Sequence, residues 1–344
     1  MAARREGELR FDDANAKKNQ IKRGREKRRD PGQDFVVEPV RKKRWPWITV
    51  ILLLVAVAGI SFAVLRDNHL IRVTGVTVSD GRIPEAFDGF RILQLSDFNG
   101  RSFGTDNRRL IEEVKNLKYD IVLLTGDFLN ASGDPDSFAP ARQVIEALAE
   151  SGKPIYYVLG ENDVAKDFPD AMKARDGWNM CIEKIEGNPV AEALDGLGAK
   201  CVYPLTVIES GDSRIFLTGI TYYEKLFDTY NFDSDKDFSI CVTHAPVAYD
   251  VDKRLASVNR YSFREVDFDM SISGHTLGGQ YRLPLLKTVY LEGYGLFPQE
   301  SVAYGLHKTQ GRWNFITAGL GVKSGFRLCN RPEVALIELR CAKN

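Results

Sequence analysis

The feature that most constrains this chain is an uncharged apolar run from Trp45 to Leu65, reading WPWITVILLLVAVAGISFAVL. Coiled as a helix, its 21 residues are long enough to cross the hydrocarbon core of a bilayer. No polar stripe interrupts it, as one would in a helix buried along a single face. Trp45 and Trp47 stand at one edge, where indole rings favour the headgroup level, and Arg41, Lys42, Lys43 and Arg44 immediately precede it. The positive-inside rule then puts the N-terminus in the cytoplasm and the rest of the chain outside it. A cleaved signal peptide fits less well, because its n-region would be 44 residues long. The expected organisation is a basic cytoplasmic tail over 1–44, a transmembrane helix over 45–66 and one extracytoplasmic domain over 67–344.

Charge supports this division. The chain is neutral overall, yet residues 1–44 carry 15 basic against eight acidic groups, while the remainder carries 32 against 39. A basic arm on an acidic body excludes a nucleic-acid-binding domain and suits a tail lying on an anionic membrane surface. The tail has almost no apolar periodicity, which predicts disorder. Over the whole chain, 44% hydrophobic and 27% charged residues supply a globular core. The five cysteines form no CxxC and no zinc-finger spacing. Cys241 lies in an apolar run and is expected buried, while an exported domain admits a Cys181–Cys201 or Cys329–Cys341 disulfide.

From Ile71 onward, short β-branched runs alternate with amphipathic stretches. Strands are expected at Phe90–Ser96, Ile121–Thr125 and Pro154–Leu159, with helices at Asn107–Leu117 and Ser137–Glu150 between them. This βαβαβ order implies parallel strands in a covered sheet. The second half is richer in strands: Phe216–Ile220, Phe238–Thr243, Met270–Ser273, Trp313–Thr317 and Val334–Leu339. Asn188 and Pro189 are the expected N-cap and first residue of a helix over Val190–Leu197. The acidic, aromatic stretch Tyr222–Asp237 is a candidate lip of a cleft.

Polar residues fall at telling places. Asp97 and Asn99 follow FRILQLS, Asp127 follows IVLLTG, and Glu161, Asn162 and Asp163 follow PIYYVLG. His244 follows FSICVT and His275 follows MSISG, so two of the four histidines end strands in equivalent positions. Open α/β sheets place their sites at such carboxyl ends. One acid after a strand is more often a cap or turn residue; five clusters in succession are not. His69 reads as a solvated stem residue and His307 as part of a surface hairpin. Gly278 and Gly279 suit a tight turn, with Tyr281 and Arg282 near the cleft.

The order and wording of these clusters resemble the calcineurin-like metallophosphoesterase superfamily over roughly residues 71–340. The family pattern D-x-H, G-D, G-N-H-[DE], a lone His and G-H-x-H stands here as Asp97-Phe98-Asn99, Gly126-Asp127, Gly160-Glu161-Asn162-Asp163, His244 and Gly274-His275-Thr276-Leu277. The text SGHTLGGQYRLP is similar to that of the membrane-associated bacterial branch, as are Gly319-Leu320-Gly321 and Asn330-Arg331-Pro332-Glu333. The resemblance implies a four-layer α-β-β-α sandwich and two divalent cations bridged by Asp127, which activate water and clamp phosphoryl oxygens. It further implies that Asp97 serves the first metal and that His244 and His275 serve the second.

Four positions depart from the pattern. Asn99 and Leu277 replace first-site histidines, Asn162 replaces the acid histidine that Asp163 would orient, and Glu161 replaces a ligand asparagine. The first site keeps only oxygen donors, Asp97, Asn99 and Asp127, suited to Mg²⁺ or Ca²⁺. The second keeps Asp127, Glu161, His244 and His275, a mixed set suited to Zn²⁺ or Mn²⁺. The expectation is one divalent ion, or the family's two where the oxygen-only site also fills. The chain is then either a weak hydrolase of a phosphomonoester or phosphodiester of the envelope, or an inactive relative binding a phosphorylated envelope molecule or partner protein.

Overall fold

The run Ile121–Thr125 is buried at every position, and its alternate side chains enter two different cores. Val122 and Leu124 face one, and Ile121 and Leu123 face the other, as the period of two along a strand requires. A strand covered on both faces needs a layer on each side, and those two layers organise the domain. The computed structural model of the chain describes residues 45–164, 187–203, 205–219, 230–233, 235–247 and 268–342. The chain divides into two units, residues 1–53 and 54–344. Among the described residues the first contributes only the opening turns of helix α1 (Trp45–His69), which is long and apolar enough to cross a membrane. The tail lies outside the described residues.

In chain order the second unit continues with β1 (Arg72–Asp80), β2 (Arg91–Leu95), α2 (Arg108–Lys115), β3 (Ile121–Thr125), α3 (Ala139–Ala149), β4 (Ile155–Val158), the single turn α4 (Glu161–Val164), α5 (Pro189–Gly196) and β5 (Lys200–Cys201). It ends with β6 (Leu205–Ser210), β7 (Ser213–Thr218), β8 (Asp237–Val242), β9 (Met270–Ser273), β10 (Arg282–Leu283), β11 (Lys287–Thr288), β12 (Tyr290–Leu291), β13 (Gly295–Leu296), β14 (Gly305–Thr309), β15 (Arg312–Ile316) and β16 (Glu333–Cys341). One six-stranded sheet has the order β1-β16-β2-β3-β4-β5 and the other β14-β15-β9-β8-β7-β6. Strands β2 to β5 are parallel, as are β15, β9, β8 and β7. Ile92, Leu123 and Val158 of the first sheet meet Ile215, Ile240, Ile272 and Phe315 of the second in an apolar interlayer. The other face of the first sheet is covered by Leu110 and Val114 of α2, Val144, Ile145 and Leu148 of α3, and Val190 and Leu194 of α5. The chain is thus a mixed α/β protein in which helix, sheet and sheet layers are described.

Most expected elements stand within a residue or two of their observed bounds, and Asn188 does cap α5, accepting from the N–H groups of Val190 and Ala191. The outcome differs in three places. The strands β10 to β13 have two residues each, too short for a period-two pattern to register. Cys329 and Cys341 are free thiols: nine residues of extended β16 separate the loop of one from the position of the other, roughly 26 Å of strand that no disulfide spans. Cys181, and with it the expected Cys181–Cys201 pairing, lies outside the described residues. The stretch Tyr222–Asp237 is described only in part. Its end enters β8 with Asp237 paired to Arg214, at the opposite end of that strand from His244, so this part forms no lip over the ligand cluster.

Strand β16 lies between β1 and β2, parallel to the first and antiparallel to the second. Deleting residues 333–342 leaves β1 without a partner, bares one edge of β2 and strips Ala335, Ile337 and Leu339 from the interlayer. Loss of the cooperative thermal unfolding transition is the expected outcome, read by circular dichroism.

Candidate metal centre

The two sheets deliver their polar residues to one edge. Asp97 and Asn99 leave β2, Asp127 leaves β3, the turn α4 follows β4, His244 follows β8 and His275 follows β9. Asp97, Asn99, Asp127, His275 and Leu277 all hold positive φ, between 49° and 68°. Such backbone is strained for residues with a Cβ, and its concentration here marks a site that the surroundings over-determine. Two glycines allow the turns after β3 and β4 to touch. A Cβ on Gly160 would fall 2.2 Å from Asp127 Oδ1, and one on Gly126 would fall 2.5 Å from the Gly160 nitrogen.

Asp127, His244 and His275 converge, with ligand atoms all within 4.8 Å of one another. Asp127 Oδ1 accepts from the Asn162 N–H at 2.9 Å. Its Oδ2 is buried without a hydrogen-bond partner and lies 3.3 Å from His244 Nε2. His244 Nδ1 sits 2.7 Å from the Thr125 carbonyl, so Nδ1 donates and Nε2 is left to face the cluster. His275 Nδ1 is 3.2 Å from His244 Nε2. An orphaned carboxylate oxygen and two imidazole nitrogens around one point fit a divalent cation of the Zn²⁺ or Mn²⁺ type.

Electrostatics agree with the geometry. Burial alone would lower His244, but the negative charge of the Asp127 carboxylate 3.3 Å away, with Asp97 beyond, pushes it up to about 10. Burial would raise Asp127, yet His244 and the Asn162 N–H hold it below the usual carboxylate range. His275 goes the other way: burial, His244 and Lys323 keep its imidazole neutral. Burial, reinforced by Asp127 and opposed by His244, raises Asp97 to about 6. Without a metal, His244 therefore holds a proton where a cation would sit.

The remaining expected ligands are placed differently. Both Asp97 oxygens accept the His275 N–H, at 3.0 and 3.1 Å. The Asn99 amide oxygen accepts from Asn162 Nδ2 at 3.0 Å, so two departures from the family pattern bond each other. Leu277 is buried and offers the cluster no donor. Asp97 and Glu161 stand outside the three-residue set. Glu161 Oε1 lies 3.8 Å from His275 Nδ1, at the margin, and accepts from Lys323 Nζ at 2.7 Å. Asp163 aims its carboxylate at backbone: Oδ2 accepts from Asp127 and Gly160, and Oδ1 from Phe128 and Leu129, all between 2.8 and 3.0 Å. It holds the turn that carries Asp127.

Two residues escaped sequence reasoning. Lys323 follows the Gly319-Leu320-Gly321 text by two positions, and that proximity was the available signal. Arg327 is fully buried, donating to the carbonyls of Ala318, Gly319, Gly321 and Leu277 and so fixing the loops around the site. Gly319 in turn abuts Asp97: a Cβ there would fall 2.7 Å from the Asp97 Cβ.

The calcineurin-like phosphoesterase family profile matches residues 90–279, from the start of β2 through the His275 turn, and the chain belongs to that family. The metallophosphoesterase YkuE of Bacillus subtilis (strain 168) is 25% identical over 296 residues, covering 83% of this chain and 92% of its own length. A transmembrane protein with metallophosphoesterase domain from Danio rerio is 23% identical over 310 residues, covering 86% of this chain and 63% of its own. The phosphodiesterase YaeI of Escherichia coli (strain K12) is 38% identical over 78 residues, 22% of this chain and 27% of its own. Membership implies a divalent metal, and Asp127, His244 and His275 are the residues that fit one.

Three measurements check this geometry. The proton on His244 competes with the metal below a pKa of about 10. Raising the pH from 7 to 9 is therefore expected to tighten Mn²⁺ or Zn²⁺ binding about tenfold per unit, with one proton released per ion by calorimetry in buffers of different ionisation heat. In the metal-free chain the sign reverses. The stability from protonated His244 is full below its unfolded value of 6.5 and is lost as the pH rises through about 10. Asp163→Ala strands four buried N–H groups and is expected to cost roughly 3–5 kcal/mol in urea unfolding, with loss of metal binding.

Proposed function

We propose that this chain is a membrane-anchored metallophosphoesterase working with one divalent ion at Asp127, His244 and His275, with Glu161 as an additional ligand once Lys323 releases it. The carrying observation is the buried, unpartnered Asp127 Oδ2 facing two imidazole nitrogens. The bound metal would lower the pKa of a water and polarise a phosphoryl oxygen. The chain's own residues supply the rest. Thr125 fixes the His244 tautomer, Asp163 holds the Asp127 turn, and the Lys323 ammonium offers positive charge to a phosphate. The apolar helix Trp45–His69 and the resemblance to a transmembrane relative support anchoring. The basic residues before that helix favour a cytoplasmic tail and an outer catalytic domain. A phosphodiester or phosphomonoester of the envelope is the substrate class this arrangement favours.

One observation favours the second reading, an inactive relative that binds a phosphorylated ligand. Asn162 and Asn99 bond each other where the family pattern has two histidines, so no imidazole stands ready to protonate a leaving group. Metal analysis and bis-p-nitrophenyl phosphate turnover by the full chain in detergent distinguish the two. Hydrolysis that disappears in His275→Ala, together with the metal, supports the enzyme; one bound ion with no turnover supports the binder. In an active chain, Asn162→His is expected to raise kcat by about tenfold to a hundredfold, the lower range of what a general acid supplies.

A further inference from the structure

The hairpins β10–β11 and β12–β13 carry an unusual surface. Leu285 is fully exposed, and Leu286, Leu296 and Phe297 are 58%, 70% and 56% exposed. Leu285 and Phe297 also hold positive φ, at 73° and 52°. Solvent-facing turns put glycine or asparagine at such positions, since a branched or bulky side chain is strained there. Two strained apolar side chains held out into solvent, each beside a proline (Pro284, Pro298), make an apolar lip rather than a scatter of surface residues.

The first hairpin is tied to the end of helix α1 through the loop 326–328. Asn68 lies three residues beyond Leu65, the last residue of the uncharged run, or about 4.5 Å along the helix. Asn68 Nδ2 donates to the Arg327 carbonyl at 2.9 Å, and the Arg327 N–H donates back to Asn68 Oδ1 at 3.0 Å. The preceding residue, Phe326, is exposed, and its ring meets Tyr281 edge-on at 5.5 Å. Gln280 Nε2 donates to the Phe326 carbonyl, and Arg282 N–H, opening β10, donates to Leu328. The base of the first hairpin is thus pinned to the loop that grips the helix end. Between the hairpins and the metal centre lies a cavity of about 260 Å³, lined by His275 and Lys323 together with Tyr281, Tyr290, Leu291 and Val302. Ligating, cationic and apolar groups share its wall.

We infer that the two hairpins seat in the bilayer surface beside the anchor helix, and that the cavity receives the apolar part of a membrane-resident phosphoester whose phosphate lies between His275 and Lys323. This rests on the anchored phosphoesterase reading and adds to it the substrate class, an amphiphile drawn from the membrane. The exposed Lys287, at the start of β11 in the first hairpin, matches anionic headgroups.

The full chain is reconstituted in vesicles of phosphatidylcholine with a minority of phosphatidylglycerol, and a Leu286→Trp variant is compared with the parent for quenching by brominated lipids. The added indole emission is expected to be quenched. A chain that floats with the vesicles while that emission stays unquenched overturns the seating and leaves the anchor intact; a chain that fails to float overturns both. Self-association abolished by Leu285→Ser with Leu296→Ser assigns the lip to a second copy and also overturns the inference. Calorimetry with the metal-loaded chain in detergent tests the cavity. Short-chain phosphatidate is expected to bind at least about tenfold tighter than glycerol phosphate, since each buried methylene adds to the affinity. Tyr290→Ser should narrow that gap, and equal affinities for the two ligands in the parent refute the cavity's role whether or not the chain turns over.

Discussion

The site depends on one buried carboxylate, that of Asp163. Its two oxygens accept four backbone N–H groups, three from the turn after β3 and one from the turn after β4. Asp127 can hold its left-handed backbone because its amide, and those of the next two residues, end on a fixed acceptor. The same carboxylate draws Gly160 against Asp127, an approach that only residues without a Cβ permit. From that clamp the rest follows: Asn162 N–H reaches Asp127 Oδ1, and Oδ2 is turned toward the histidines from the second sheet. The helix-covered sheet supplies the rigid acid, and the second sheet supplies the bases.

A second tie works from the far side. Arg327 is buried among carbonyl oxygens, and the four groups that accept from its guanidinium are all backbone. It joins the Leu277 turn to the Ala318–Gly321 loop while its own backbone grips Asn68 at the end of the apolar helix. The loops around the metal centre and the stem of that helix are therefore parts of one hydrogen-bonded unit. Movement at the stem and movement at the site share the same polar framework.

Much of this was legible in the sequence. Asp127, His244 and His275 follow apolar runs that could only be strands, and a strand end fixes where a side chain emerges. The helices were readable because Leu110, Val114, Val144, Ile145 and Leu148 repeat at helical spacing. What remained hidden came from tertiary juxtaposition. Lys323 meets Glu161 across 162 positions, and no local pattern announces such a pair. Asn99 and Asn162 look like two independent losses in sequence, whereas in the structure they are one hydrogen bond. The clamp made by Asp163 was hidden for the same reason, since its partners are amides that every residue possesses. The hairpins β10 to β13 were missed because two residues cannot display a period.

The placement of β16 has a consequence for how the chain reaches this state. Arg72 and Glu333, which form an ion pair at the start of β1 and β16, are 261 residues apart. The first strand after the apolar helix therefore waits, during synthesis, for β16, the last strand among the described residues. Until then β1 has no neighbour and β2 keeps one edge bare, so the apolar interlayer cannot close. Long-range pairing of this kind slows folding and prolongs the life of open, sticky sheets. A nascent chain of this fold is a natural client for holding factors until β16 has emerged.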